Sequence, residues 1–267
     1  MTESRTNEGA TPRRDTRPPA RGKVHDLFLR HYGAHGWRSA RTHYENLLAR
    51  RIAHSASVLE IGCGHDTRMA EHLVSLAGTV HGADPVWVGE CPCPGMLRTM
   101  ASGYALPYED ESFDIVTCKC VLEHLKEPLI AFKEVNRVLR DNGQFVFLTP
   151  SRHDYVSILA RVIPNALHGR IIKALEGRGE PDTFATYYRA NSARQIRRLA
   201  VQAGFDIEML RYRNHYPYLL RFSPFLFRLG VFYDRLITRY RALEFLQSFL
   251  IGVLRKRAQS SGVSSGG

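Results

Sequence analysis

No uncharged apolar run in this chain approaches the ~18–20 residues that a membrane-spanning helix needs. Insertion into a bilayer is therefore not expected. The first residues carry Glu3, Arg5, Glu8, Arg13 and Arg14 with no apolar stretch among them, so no secretory signal is expected either. Cysteine is sparse and odd in number, five residues in 267. That count speaks against a disulfide-stapled scaffold and makes the cytoplasm the expected compartment. No segment repeats itself. What remains is ordinary globular material, 44% hydrophobic and 24% charged, in a length that suits one sizeable α/β domain.

Acidic residues are scarce in the second half. The net charge is +11, and after residue 149 there are nineteen Lys and Arg against eight Asp and Glu. Residues 24–149 hold twelve against fifteen. A basic half calls for an anionic partner, whether a phosphate-bearing substrate, a membrane surface or nucleic acid, or it serves solubility alone.

Residues 1–22 are rich in Thr, Pro and Arg and read as a disordered tail, and 258–267 as a flexible one. Between them, 23–257 reads as a single domain with a core over 55–150 and a cap over 151–247. Strands are expected at 57–61, 79–83, 113–118, 144–149, 205–212 and 249–254 from short apolar runs. Helices are expected at 66–77, up to 139, at 155–163 and 171–175, from a cap at Asn191 to Ala203, and from Ser223-Pro224 to about Tyr240. Asp141-Asn142-Gly143 reads as a helix stop and turn. Alternation at this spacing predicts an α/β fold, a Rossmann-like, mostly parallel seven-stranded sheet with an antiparallel last strand and a helical cap. The N-terminal helices are expected in that cap, together with 151–190 and 213–247.

The most informative stretch is Val58-Leu59-Glu60-Ile61-Gly62-Cys63-Gly64. A buried strand ends on an acid, and two glycines turn the chain sharply into a helix. Small residues there let a ligand approach the backbone at a parallel sheet's edge. Asp84 ends the next strand about twenty residues on, where a carboxylate can accept from both hydroxyls of a ribose. Ser102-Gly103-Tyr104-Ala105-Leu106-Pro107-Tyr108, Val121-Leu122-Glu123-His124-Leu125 and the run from Glu134 to Gln144 follow in order.

With these five elements at these spacings, residues 55–150 resemble the class I S-adenosylmethionine-dependent methyltransferases, in particular the small-molecule subgroup known as type 11. The resemblance implies S-adenosyl-L-methionine as cofactor. It places the donor's methionine part on Glu60, Gly62, Cys63 and Gly64, its ribose on Asp84, and its adenine edge near Ser102 and Gly103. It lines the reaction centre with Lys119 to His124. Asp66 stands where the family has a third glycine, and Ser102 where it has aspartate. The serine hydroxyl still suits the exocyclic amine, with weaker binding expected. The implied reaction is methyl transfer to a small-molecule acceptor, most readily an oxygen of a sugar, natural product or lipid-linked compound. Nucleic-acid methylation is the alternative. It fits the basic half, but the chain has no RNA-binding module and no N-P-P-Y-type signature for exocyclic amines. A non-catalytic protein that keeps the donor fold is a further alternative, opposed by Glu60, Gly62, Gly64 and Asp84. The sequence assigns no oligomeric state.

His124 is a candidate general base, since its ordinary pKa lies near neutrality, or a structural group at a helix start. His153, just past the fifth strand, is a second candidate. Proximity and desolvation alone also drive many methyl transfers. Tyr187-Tyr188-Arg189-Ala190-Asn191 would line the acceptor pocket or pack beneath the cap. The pairs Cys91/Cys93 and Cys118/Cys120 would face one way in strands. Their C-x-C spacing suits a zinc knuckle poorly, so no metal is expected.

On the helix over 223–240, Phe225, Leu229, Phe232 and Leu236 keep the rhythm of one buried stripe, with Arg228, Arg235 and Arg239 on its flank and Arg221 before it. Such a helix covers the acceptor pocket as a packed cap or rests against an anionic lipid surface. The second use would place the protein peripherally at the inner membrane.

Overall fold

Strand β1, Ser57–Ile61, is buried along almost its whole length, as a strand with neighbours on both edges and helices on both faces must be. It pairs in parallel with β2, Thr79–Asp84, and with β4, Phe113–Lys119. The order β3-β2-β1-β4-β5-β7-β6 completes a seven-stranded sheet, with β3 at Met96–Met100 and β5 at Leu139–Pro150. The last two strands, β6 (Phe205–Arg213) and β7 (Phe249–Lys256), form an antiparallel pair in which β7 lies against β5. The expected fold is present. This is a computed structural model, and it describes residues 22–33, 38–64, 67–86, 93–162 and 184–258. Most of the two expected tails, the helix expected at 171–175, Asp66 and Cys91 lie outside the described residues.

Helices close both faces, and a further helix, α5 (Tyr155–Val162), follows β5. On one side α4 (Pro128–Val138) and α6 (Ala193–Gln202) bury Phe132, Val135, Ile196 and Ala200 against Phe145, Phe147 and Phe205. On the other, α2 (Ala40–Arg51) and α3 (Thr67–Val74) bury Tyr44, Leu48, Met69 and Leu73 against Val58, Val146 and Val253. A third, separate cluster joins α1 (Lys23–Tyr32) to α7 (Pro224–Arg239) through Leu27, Phe28, Tyr32, Phe227 and Val231. The N-terminal helices are thus divided. Only α1 joins the cap cluster, while α2 packs on the sheet, with the Tyr44 hydroxyl bonded to Thr117 and donating to the Cys118 carbonyl at 3.2 Å.

Several expectations are corrected. Strand β3 has no apolar run to announce it, because Met-Leu-Arg-Thr-Met sits at a sheet edge with only one neighbour and is partly solvated. Helix α3 ends at Val74, three residues early. Asp141-Asn142-Gly143 does not separate helix from strand. It lies inside β5, with Asn142 at φ 62° and a register shift against β4 between Phe113 and Ile115. The cap of α6 is Ser192, which accepts from the Gln195 amide at 3.3 Å, and not Asn191, which is buried on other duties.

The face of α7 is also inverted. Phe227, Gly230, Val231 and Ile237 are buried, while Phe225, Leu229, Phe232 and Leu236 are exposed. The helix is apolar on two sides, so periodicity alone cannot choose between them. Gly230 decides, because it lets the helix approach Pro217 so closely that a Cβ there would lie 2.6 Å from the proline ring. The Tyr32 hydroxyl, donating to Asp234 at 2.9 Å, holds the same side to α1.

Candidate active site

The order of the parallel strands reverses between β1 and β4, and a ligand-binding crevice opens at the carboxyl ends of strands at such a point. Three of the sequence-predicted groups meet there. Gly62 and Gly64 have φ of 74° and 41°. Gly62 donates its amide to the Ala83 carbonyl at 2.7 Å, and a Cβ on it would overlap Val121. Among the described residues nothing lies within 4 Å of a Cβ built on Gly64. One glycine lets β1 and the 121–124 turn come together, while the other leaves room beside the turn.

Asp84, half-buried at the end of β2, accepts the Gly64 amide at 2.9 Å and the Val86 amide at 3.0 Å, one on each oxygen. A carboxylate has about four acceptor positions, so about two remain, held in a fixed orientation. That capacity fits a vicinal diol, and the open space at Gly64 fits a ligand lying across the turn. Glu60 is buried in β1 beside Gly82 and Thr117. Cys63 is buried with its thiol pushed up by desolvation, and Arg98 donates to its sulfur at 3.6 Å and also to the Gly64 carbonyl.

Ser102 and Gly103 form a tight turn over the end of β1, with the Ala105 amide donating to the Ser102 carbonyl at 3.0 Å and Gly103 against Ile61. The Ser102 hydroxyl accepts the Tyr104 amide at 3.3 Å. The following residues are anchored by the fifth motif. Glu134 accepts the Leu106 amide at 2.8 Å, and Arg137 donates to the Leu106 and Tyr108 carbonyls at 3.0 and 2.8 Å. The Tyr104 hydroxyl accepts the Lys126 amide at 2.7 Å, at the mouth of α4. Two motifs far apart in sequence hold one loop.

Lys119 ends β4, and Cys120 follows at φ 56°. Leu122–His124 then makes one 3-10 turn. The half-exposed His124 places Nδ1 3.1 Å from the Ala185 carbonyl and its ring 5.8 Å from Phe184. A carbonyl only accepts, so Nδ1–H is the donor in this contact, which leaves Nε2 the acceptor whenever the ring is neutral. Nε2 lies 4.0 Å from Glu123. Glu123 is buried, and desolvation pushes its pKa up to about 7 even though Thr149 donates to Oε2 at 3.2 Å. Asn191 donates to the Thr149 hydroxyl at 2.6 Å and to the Pro150 carbonyl at 3.0 Å. Residues 184–191 lie across this turn, with the Tyr187 and Tyr188 amides donating to the Glu123 carbonyl at 2.7 and 3.2 Å. Sequence reasoning missed Glu123, Thr149 and Asn191 as a unit. The Leu-Glu-His triplet was a signal, but only the sheet shows the carboxylate turning toward β5.

His153 sets its ring 5.5 Å from Phe245 and donates its amide to the Ser151 hydroxyl at 3.3 Å. Cys118 is buried in the sheet while Cys120 is exposed at a positive φ, so the pair does not share a strand face. Among the described residues no group of three His, Cys, Asp or Glu is placed to hold a metal.

Residues 29–210, well over half of the chain, match the family described as "Methyltransferase domain". The chain belongs to this methyltransferase family. Curated relatives named ubiquinone biosynthesis O-methyltransferase include one from Pseudomonas syringae pv. tomato, 32% identical over 117 residues that are 39% of this chain and 49% of the relative. Another, from Pseudomonas fluorescens, is 29% identical over 60% of this chain and 71% of its own. The chain spans about half the length of the first of these relatives. Among solved structures, the YcgJ protein of Bacillus subtilis superposes with a TM-score of 0.50 at 14% identity, covering 81% of this chain and 99% of that one. A chain of a Haloferax volcanii complex containing the Trm112 methyltransferase activator gives 0.52 at 14% identity, covering 88% and 93%. The fold is that of class I methyltransferases, and for a member of this family it implies S-adenosyl-L-methionine as methyl donor.

Proposed function

We propose that the protein transfers the methyl group of S-adenosylmethionine to an oxygen of a small-molecule acceptor, such as a hydroxyl of a natural product or lipid-linked compound. The observation that carries this reading is the open Gly62–Gly64 turn beside the doubly anchored Asp84 at the sheet's switch point. The relatives' name supports oxygen as the atom methylated. When bound, the donor supplies an electrophilic methyl carbon on a sulfonium sulfur. In this proposal Asp84 receives the ribose hydroxyls, Glu60, Gly62, Cys63 and Gly64 border the methionine part, Ser102 and Gly103 the adenine, and Lys119 the crevice floor. His124 Nε2 would take the acceptor's hydroxyl proton as the methyl–oxygen bond forms and the methyl–sulfur bond breaks, the sulfur leaving as a neutral thioether, and Glu123 would stabilise the imidazolium. Residues 184–188 keep water from that turn.

Incubation with methyl-labelled donor and a panel of phenols, sugars and prenylated alcohols tests the proposal. Label should appear on an acceptor oxygen. Donor binding with label passing only to amines, carbon or nucleic acid would overturn it.

A further inference from the structure

The apolar face that α7 turns outward is not covered by any described residue of this chain. Phe222, Phe225, Leu229, Phe232, Leu236 and Tyr240 are between 38% and 74% exposed. At about 100° per residue, Phe225, Leu229, Phe232 and Leu236 fall within an arc of about 60°, opposite the buried side that packs on α1. The stripe is about 16 Å long at 1.5 Å per residue. Soluble surfaces rarely expose contiguous aromatic and aliphatic side chains on that scale without an interaction to make.

The charge on this face has one sign. Arg228, Arg235 and Arg239 are exposed along one flank of the stripe, and Arg221 is exposed just before it. The only acid of α7, Asp234, is on the packed side, bonded by Tyr32. Arg235 donates to His31 Nδ1 at 2.9 Å. At the stripe's N-terminal end a groove of about 520 Å³ lies between α1 and α7. It is lined by Lys23, Arg30 and Arg228, with Asp26 its one acid.

We propose that α7 docks on the surface of an anionic phospholipid bilayer, its phenylalanines and leucines in the acyl boundary and its arginines among the headgroup phosphates. Apolar side chains flanked by an excess of exposed arginines, with Asp26 the one acid of the adjoining groove, match that occupant on both counts. A second copy of the chain fits less well, since a self-complementary contact would set arginine against arginine. The proposal does not depend on the methyl acceptor, and methyl transfer does not depend on it.

Sedimentation of the full chain with vesicles of phosphatidylglycerol and phosphatidylcholine, against vesicles of phosphatidylcholine alone, tests it. The protein should be recovered with the anionic vesicles at low salt, remain in solution with the neutral ones, and be released at high salt. Phe225→Ser with Phe232→Ser should lower partitioning at least tenfold. Arg228→Gln with Arg239→Gln should lower it about tenfold or more, since each basic residue near an anionic surface contributes roughly fivefold. All four positions are exposed, so both variants should keep the wild-type thermal midpoint and donor affinity. Equal recovery of the wild type in solution with both vesicles at low salt overturns the proposal. So does a concentration-dependent dimer that the phenylalanine variant abolishes while no vesicle binds, which would give the face to a second copy.

Discussion

Asp84 holds two backbone amides and has acceptor capacity left over, so its removal acts on the turn and on the ligand together. Asp84→Ala should cost two charge-assisted bonds to the donor, each worth about 1.5–3 kcal/mol. Calorimetry should show donor affinity reduced by at least a hundredfold, and unchanged affinity would remove Asp84 from the ribose. Glu123 carries a pH signature of its own. Burial raises its pKa from 4.5 to about 7. Between those values the folded protein holds a proton that the unfolded chain has released, so this residue's contribution to stability falls as pH rises. The unfolding free energy of Glu123→Gln relative to wild type should therefore improve steadily from pH 4.5 to about 7 and level off above. A flat difference would mean that the carboxyl is not raised. His124→Gln should cut turnover by about 10²–10⁴ with donor affinity intact, and a loss below tenfold would leave His124 a structural role.

At the scale of elements, glycines decide approach distances that sequence patterning does not show. Gly230 seats α7 on Pro217 and Leu220. Gly230→Ala should push the helix outward and cost about 1–3 kcal/mol in urea unfolding, with donor binding unaffected because the contact lies in the cap. Gly62 is different, because φ of 74° and the proximity of Val121 coincide at the site itself. Gly62→Ala should lower both stability and donor affinity. If Gly62→Ala binds donor as well as wild type, the β1 turn does not shape the donor pocket. The loop from Ser102 to Tyr108 depends in the same way on Arg137, which also pairs with Glu134 at 2.7 Å and holds its carboxyl below the usual range.

For the whole molecule, the donor crevice and the cap cluster are separate bodies of packing. The two sheet-face cores enclose the strands that end at the crevice, and the α1–α7 cluster stands by itself. Donor binding should therefore stabilise the sheet as a unit. At a hundredfold excess over its dissociation constant it should add about 2.7 kcal/mol, raising the thermal midpoint by roughly 5–10 °C. Scanning calorimetry with and without donor measures this, and no shift at saturation would show that the folded state gains nothing from the ligand. Among the described residues no helix is long and apolar enough to cross a membrane, so the lipid contact inferred for α7 is a surface one.

Local patterns that need no distant partner were legible in the sequence. The buried run Val58–Ile61, the glycine turn after it, Asp84 at the next strand end and the Ser223-Pro224 helix start are written in neighbouring residues, because strand burial, positive φ and capping are short-range requirements. The five ordered motifs carried the family for the same reason. Tertiary structure alone decided what depends on which surfaces meet. Strand β3 exists because β2 offers an open edge, and Ser192 caps α6 because Asn191 is drawn inward to Thr149 and Pro150. Glu123 is raised because the sheet removes water from around it. The outward face of α7 is the reverse of the one its apolar rhythm predicts, since a helix apolar on two sides takes its buried face from whichever neighbour fits. Here that neighbour is Pro217 against Gly230 and Tyr32 against Asp234.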